Sequence, residues 1–219
     1  MLRIFFALFL KGEKMKIKLF FAGICLASLA FAQDPPTGFE DPVLLGSVMG
    51  GKVIYQDKID TKIEFETVAK AFFTKTSPEA YAMLAVNHPK YPQLFQEVKE
   101  GHTTKISEDK LDYDYRLKLV IQAGFITQEV FPEGHQHLIP ATDAISEYRI
   151  QNAITNYTDD IKSATQVTRL IPYDNGILVE DDVHVILQKP SAQSNIIKKK
   201  LKEFFSKYVL AFRKELTGQ

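Results

Sequence analysis

From Thr61 the chain alternates between apolar and polar positions. Ile63, Phe65, Thr67, Ala69, Ala71 and Phe73 fall on one face, with Lys62, Glu64, Glu66, Val68, Lys70 and Phe72 between them. A period of two marks a strand buried on one face. Thr76-Ser77-Pro78-Glu79 then reads as a helix start, with Ser77 as cap, Pro78 in the first turn and an acid behind it. That helix is apolar through Ala82, Leu84 and Ala85 and is stopped by Asn87-His88-Pro89. Tyr91-Pro92-Gln93-Leu94-Phe95 starts another short turn of helix or a tight loop. The clearest strand is Lys110 to Ile121. Its Leu111, Tyr113, Tyr115, Leu117, Leu119 and Ile121 share one face, and Asp112, Asp114, Arg116 and Lys118 share the other. Such a pattern belongs to a sheet with one apolar and one wet face. Phe125 to Phe131 and Glu147 to Tyr157 also read as strands, whereas Ile126 to Ile145 as a whole lacks regular strand alternation. Thr165 to Ile171 and Ile177 to Gln188 flank Asp174-Asn175-Gly176, a hairpin turn of residues that tolerate positive φ.

The period then changes. Ile197, Leu201, Phe204, Phe205, Tyr208, Phe212 and Leu216 recur at steps of three or four, which predicts one long amphipathic helix with Ser194 as a cap. Strands joined by turns, without alternating helices, imply an antiparallel sheet. The expected fold class is therefore α+β: a curved antiparallel sheet gripping a long C-terminal helix, with two short helices after the first strand. A curved sheet cannot meet a straight helix everywhere, so a cavity between them is expected.

The N-terminal segment reads differently. Met15 is read as the true start, because Lys16 and Lys18 make a positive lead, Leu19 to Leu29 an apolar run, and Ala30-Phe31-Ala32 a small-x-small cleavage site. Codons for Lys11-Gly12-Glu13 can spell a purine-rich ribosome-binding sequence just upstream. The apolar run is shorter than the roughly 20 residues that a membrane span needs. Cys25 follows Ile24 rather than a small residue, and so is read as part of the apolar run and not as a lipid attachment site. Residues 1–32 are thus expected to be a signal sequence. Residues 33–51, rich in Pro and Gly, form an irregular lead-in, and 52–219 form a single domain. The mature protein is expected to be periplasmic or secreted after cleavage near Ala32.

Cleavage changes the charge balance. The chain has 27 basic and 27 acidic residues, and losing five basic and one acidic residue leaves 22 and 26. A mildly acidic chain with no long basic run is a poor partner for nucleic acid. No cysteine follows Cys25, so neither disulfides nor thiol chemistry are expected in the mature part. No Gly-x-Ser-x-Gly elbow, phosphate loop or dinucleotide fingerprint occurs, and no cofactor is implied.

In element order the chain resembles the START-like (SRPBCC, helix-grip) superfamily of lipid-transfer and polyketide-cyclase proteins, over roughly Thr61 to Leu216. The resemblance is carried by Thr76-Ser77-Pro78-Glu79-Ala80, by His88-Pro89-Lys90-Tyr91-Pro92-Gln93-Leu94-Phe95-Gln96-Glu97-Val98-Lys99, by Asp112-Tyr113-Asp114-Tyr115-Arg116-Leu117, and by the terminal helix. It implies a cavity for a lipid, isoprenoid, sterol or polyketide-like molecule. The expected function is hydrophobic-ligand binding without catalysis. A cyclase- or aromatase-like enzyme on the same fold, or an envelope interaction protein with a filled core, are the alternatives.

Phe65, Phe73, Tyr113, Tyr115, Leu117, Phe204, Phe205, Tyr208 and Phe212 would face the space between sheet and helix, although a filled core explains the same residues. His135 and His137 would share a face if Glu133-Gly134-His135-Gln136-His137 were a strand, and could then ligate a metal. Pro132 and Pro140 favour a loop instead, and no metal site is expected. Asp159-Asp160 and Glu180-Asp181-Asp182 read as solvated surface. Lys198, Lys199, Lys200, Lys202, Lys207, Arg213 and Lys214 give the last helix a basic face, which could touch an anionic membrane surface transiently.

Overall fold

The computed structural model describes residues 34–106, 111–123, 126–143, 145–156, 161–189 and 194–218. The expected signal segment and Asp159-Asp160 lie outside them. One compact unit runs from Pro36 to Gln219. It begins with helix α1 (Pro42–Met49) and strands β1 (Ile54–Asp60) and β2 (Glu64–Thr74). Helix α2 (Pro78–Ala85), a 3₁₀ turn (His88–Lys90) and helix α3 (Tyr91–Leu94) follow. Strands β3 (Val98–Lys105), β4 (Asp112–Ala123), β5 (Ile126–Val130), β6 (Glu133–Ile139), β7 (Tyr148–Ile154), β8 (Ile161–Tyr173) and β9 (Gly176–Leu187) lead to helix α4 (Ser194–Thr217).

The nine strands among the described residues belong to one antiparallel sheet, in the order β1-β2-β9-β8-β7-β6-β4-β3, with β5 paired to the far end of β4. The α+β arrangement of sheet and long helix is the one the periodicity predicts. Ser77 caps α2, its Oγ accepting from the Ala80 amide at 3.2 Å. The β8–β9 hairpin turns at Asp174, whose φ of 51° lies in the left-handed region. Glu133–Ile139 is a strand and not a loop, because Pro132 and Pro140 sit just outside it and remove no bond from the ladder.

The Pro- and Gly-rich lead-in contains a helix. Asp41 caps α1, accepting from the Val43 amide at 2.8 Å, and Pro42 occupies the first turn. Phe39 and Val48 pack on Phe72, Ile171 and Leu178, on the sheet face that points away from α4. Strand β2 is therefore covered on both sides, which is why Val68, Lys70 and Phe72 are as buried as their neighbours. Lys70 lies 4.9 Å over the Phe39 ring, donates to the Gly38 carbonyl and pairs with Glu180 at 3.0 Å. Arg169 links Glu180 at 2.6 Å to Glu147 at 2.7 Å.

On the inner face, the C-terminal half of α4 locks onto α2 and α3 through aromatic rings. Phe212 lies 3.9 Å from Tyr208 and 5.3 Å from Tyr81, and Phe95 stacks on Tyr208 at 5.7 Å. Offset and edge contacts of this kind add to the area they bury. Arg213 fastens this end, donating to the Phe72 carbonyl at 2.9 Å and to the Gly51 carbonyl at 2.8 Å while lying 5.4 Å from the Phe73 ring centre. Charged donors of this type contribute about 1.5–3 kcal/mol each. Arg213→Met should therefore lower the unfolding free energy in urea by about 2–4 kcal/mol. A loss below about 0.5 kcal/mol would show that the lock holds by ring packing alone.

Candidate functional site

Beyond the aromatic lock, toward the start of α4, the sheet and the helix separate. A cavity of about 290 Å³ lies there. Leu201, Lys202, Phe204, Phe205 and Tyr208 of α4 form its roof, and Leu117, Leu119, Pro132, Ile154, Ala164 and Val183 its apolar walls. Across the floor run polar side chains from successive strands: Tyr115, Gln136, Asn152, Gln166, Thr168, Asp181 and Thr67. His88 and Tyr91 close the end nearest α3.

Of the nine aromatic and aliphatic candidates, Tyr115, Leu117, Phe204, Phe205 and Tyr208 line this cavity. Phe73, Tyr113 and Phe212 pack in the main core, and Phe65 packs in a separate cluster with Ala164, Val185 and Leu187. His135 and His137 lie on the opposite sheet face, against Asp114 at 3.2 Å and Asp112 at 2.6 Å. No group of three metal-ligating side chains suited to an ion occurs among the described residues. His184 pairs with Glu64 at 2.9 Å, and His102 is an exposed residue near Glu100.

The polar floor is joined by hydrogen bonds that all run one way. Tyr115 Oη donates to Asn152 Oδ1 at 3.1 Å, and Asn152 Nδ2 donates to Gln166 Oε1 at 3.1 Å. Gln166 Nε2 donates to both Asp181 oxygens at 2.8 and 2.9 Å, and Thr168 Oγ1 donates to Asp181 Oδ1 at 2.7 Å. Asp181 is only 2% exposed. Burial pushes its carboxyl up to about 6, with the Asp182 charge adding to the rise, while Thr168 and Gln166 pull the other way. The expectation of a solvated Asp181 fails because β9 is a central strand and alternation turns Asp181 into the cavity floor. Glu180 and Asp182, on the other face, stay partly exposed in ion pairs with Arg169 and Lys58.

Tyr115 reaches Asn152 because one side chain is missing. It stands opposite Gly134 in the β4–β6 register, and a Cβ on Gly134 would fall 2.4 Å from the phenol oxygen. The ring lies across the glycine and reaches the next strand. His88 then stacks on it with ring centres 4.4 Å apart. Glycine also seats His88, since a Cβ on Gly101 would meet the His88 carbonyl at 1.9 Å. His88, Asn152 and Gln166 were not legible as site residues. A polar residue on a strand ordinarily marks the wet face, and His88 reads as part of a helix stop.

Thr103 fixes the state of His88. Its hydroxyl donates to the Val86 carbonyl at 2.7 Å, so its oxygen must accept from the His88 amide at 3.3 Å and from Nδ1 at 2.9 Å. This hydrogen-bond network assigns the proton to Nδ1 and leaves Nε2 as an acceptor. Burial also holds the imidazole neutral, lowering its pKa to about 4.

No family model matches the sequence, and no curated protein matches it significantly. Solved structures do share its architecture. A STAR-related lipid transfer protein from Xanthomonas axonopodis matches with a TM-score of 0.56 at 13% identity, over 74% of this chain and 98% of that one. A START superfamily protein from Mycobacterium smegmatis matches with a TM-score of 0.50 at 16% identity, over 71% and 98%. The Zhui aromatase/cyclase from a Streptomyces species matches with a TM-score of 0.52 at 8% identity, over 76% and 94%. The chain has the START-like, helix-grip fold.

Proposed function

We propose that this is an exported protein that binds a small hydrophobic molecule in the cavity between α4 and the sheet. The cavity itself is the observation that supports this reading most directly. Protein interiors are close-packed and natural voids are few. A space of about 290 Å³ with mainly apolar walls is of the order of known ligand sites. The apolar run and cleavage pattern ahead of Gln33 support export, to the periplasm or beyond. Like the lipid-transfer structure it resembles, the protein would act as a carrier.

An aromatase- or cyclase-like enzyme is the second reading, and the imidazole and carboxyl in one cavity favour it. The states of those two groups favour binding over catalysis. A general base works best with a pKa near the working pH, whereas burial makes the His88 imidazole a weak base. Both Asp181 oxygens already accept hydrogen bonds from the floor.

Transient contact with an anionic membrane surface belongs to the same proposal. Lys199, Lys200 and Lys207 have side chains 77%, 60% and 59% exposed, and they flank the roof residues Leu201 and Phe204. Lys200 pairs with Glu203 at 2.8 Å and Lys207 with Glu97 at these exposed positions, while the less exposed Lys198 and Lys202 pair with Asp60 and Asp57. Lysines near an anionic surface contribute about 1 kcal/mol each. Co-sedimentation with phosphatidylglycerol vesicles should be clear at low salt and lost in 0.5 M salt, on the order of one Debye length of screening. Equal retention by neutral phosphatidylcholine vesicles would count against the lysines.

Native mass spectrometry of protein purified gently from its host envelope tests export and binding together. The polypeptide mass should correspond to a chain starting at Gln33, carrying an added mass that disappears on denaturation. A clean apo mass that takes up nothing from a total-lipid extract would move the protein to an interaction role with a filled core.

Asp181 provides a pH signature of the buried polar floor. Its folded pKa near 6 exceeds the ordinary 3.8, so the native state holds the proton more tightly. The contribution of this carboxyl to stability is greatest below about pH 4 and falls by roughly 3 kcal/mol as pH rises through 6. His88, its pKa lowered to about 4, contributes the opposite slope over the same range in both proteins. The test is therefore the difference between wild type and Asp181→Asn: in urea unfolding across pH 4–7 the wild type should lose roughly 3 kcal/mol relative to the variant. Parallel slopes would mean that the carboxyl is hydrated.

A further inference from the structure

The hydrogen bonds of the cavity floor restrict what can occupy it. The chain from Tyr115 through Asn152 and Gln166 to Asp181 is a row of donors and acceptors paired with one another within the floor. Gln136 stands beside that chain, opposite Asn152 in the β6–β7 register, and lines the same cavity. It is 6% exposed, and its Oε1 is buried with no hydrogen-bond partner. A buried polar atom left unpaired costs about 1–3 kcal/mol, so in native proteins such an atom usually has a missing partner. His88, on the same cavity, has its proton on Nδ1 and a lone pair on Nε2.

Charge narrows the choice. Among the described lining residues the only basic side chain is that of Lys202, which pairs with Asp57 at 2.7 Å. The imidazole is neutral, and Asp181 adds a buried acid. Nothing in the interior welcomes a carboxylate or phosphate, since an unpaired buried anion is strongly disfavoured. A hydroxyl suits the floor because it is both donor and acceptor, and so can pair with the Gln136 side-chain amide in either orientation. Stacked His88 and Tyr115, with Tyr91 and Phe205, give the walls flat faces that suit a ring.

We infer that the cavity takes a small, neutral, hydroxylated apolar molecule, a ring alcohol or phenol, whose hydroxyl pairs with the Gln136 side-chain amide. This rests on the proposed binding role and specifies its ligand class. It excludes fatty acids and other anionic lipids as occupants.

Equilibrium dialysis of the purified protein against naphthalene, 2-naphthol and 2-naphthoate, each read by its ultraviolet absorbance, tests the inference. The three share one ring system and differ in the polar group. The expected result is 2-naphthol held about tenfold more tightly than naphthalene, as one added hydrogen bond implies, with 2-naphthoate not retained. In Gln136→Met, 2-naphthol should lose that advantage while naphthalene binding stays unchanged. The wild-type series decides the matter even if the variant does not fold. Naphthalene retained as well as 2-naphthol, or 2-naphthoate bound as well as either, overturns the hydroxyl assignment and leaves the cavity reading intact. None of the three retained overturns the cavity reading, and this inference with it.

Discussion

A straight helix and a curved sheet can pack closely over only part of their length, and the rest of this structure follows from where that contact falls. The aromatic side chains of α4 that follow Ser206 interlock with Tyr81, Tyr91 and Phe95, and Arg213 fastens that end to the Phe72 and Gly51 carbonyls. Toward Ser194, among the described residues, ring contacts are fewer, with Phe204 at 5.9 Å from Phe95 and Phe205 at 6.2 Å from Tyr55, and Leu201, Phe204 and Phe205 roof the cavity. The position of the cavity is thus set by which turns of one helix carry large aromatic partners. Core and roof are parts of the same apolar stripe.

A sheet whose inner face carries polar residues needs apolar contact elsewhere, and the outer face supplies it. Helix α1 and Phe39 cover Phe72, Ile171 and Leu178, giving the central strands a second core. The linked ions Lys70, Glu180, Arg169 and Glu147 border this cover, with Lys70 and Arg169 also reaching the Gly38 and Thr37 carbonyls. Burial of single ion pairs is a weak source of stability. Here each charge has more than one partner, and the network holds the incoming chain to the sheet. The segment that reads as a linker therefore contributes to the stability of the strands that form the cavity floor.

The elements legible in the sequence are those in which one face is apolar and the other wet, or in which local capping is strong. Strands β2 and β4, the Ser77-Pro78 helix start, the Asp174 hairpin and α4 are of this kind. Strands β1 and β3 are not, because Ile54–Asp60 and Val98–Lys105 are largely polar strands toward the sheet's edges, where exposed ladders ordinarily carry charge. For the site, periodicity could place Tyr115, Phe205 and Phe212 on the inner side, but it could not separate cavity from core. Phe212 is packed and Phe205 lines the space because they sit two turns apart on α4. The polar floor was hidden by the same rule that revealed the strands, since alternation assigns Asn152, Gln166 and Asp181 to water by their chemistry alone.

Two absent side chains shape the floor more than any residue that lines it. With a Cβ at Gly134 the Tyr115 ring could not lie across β6, and its hydroxyl would lose Asn152. With a Cβ at Gly101 the turn carrying His88 would be pushed off β3, and the imidazole would lose its place over Tyr115. Both glycines have an ordinary strand role, and neither is forced there by a positive φ. Their function is clearance. The positions of the polar atoms are therefore properties of the sheet rather than of flexible loops, which is the arrangement a preorganised binding site requires. The directed chain of donors ending at Asp181 follows from this rigidity. Once Tyr115 lies flat, each amide along the floor has one neighbour to receive from and one to give to, and the acid at the end of the row fixes the direction for them all.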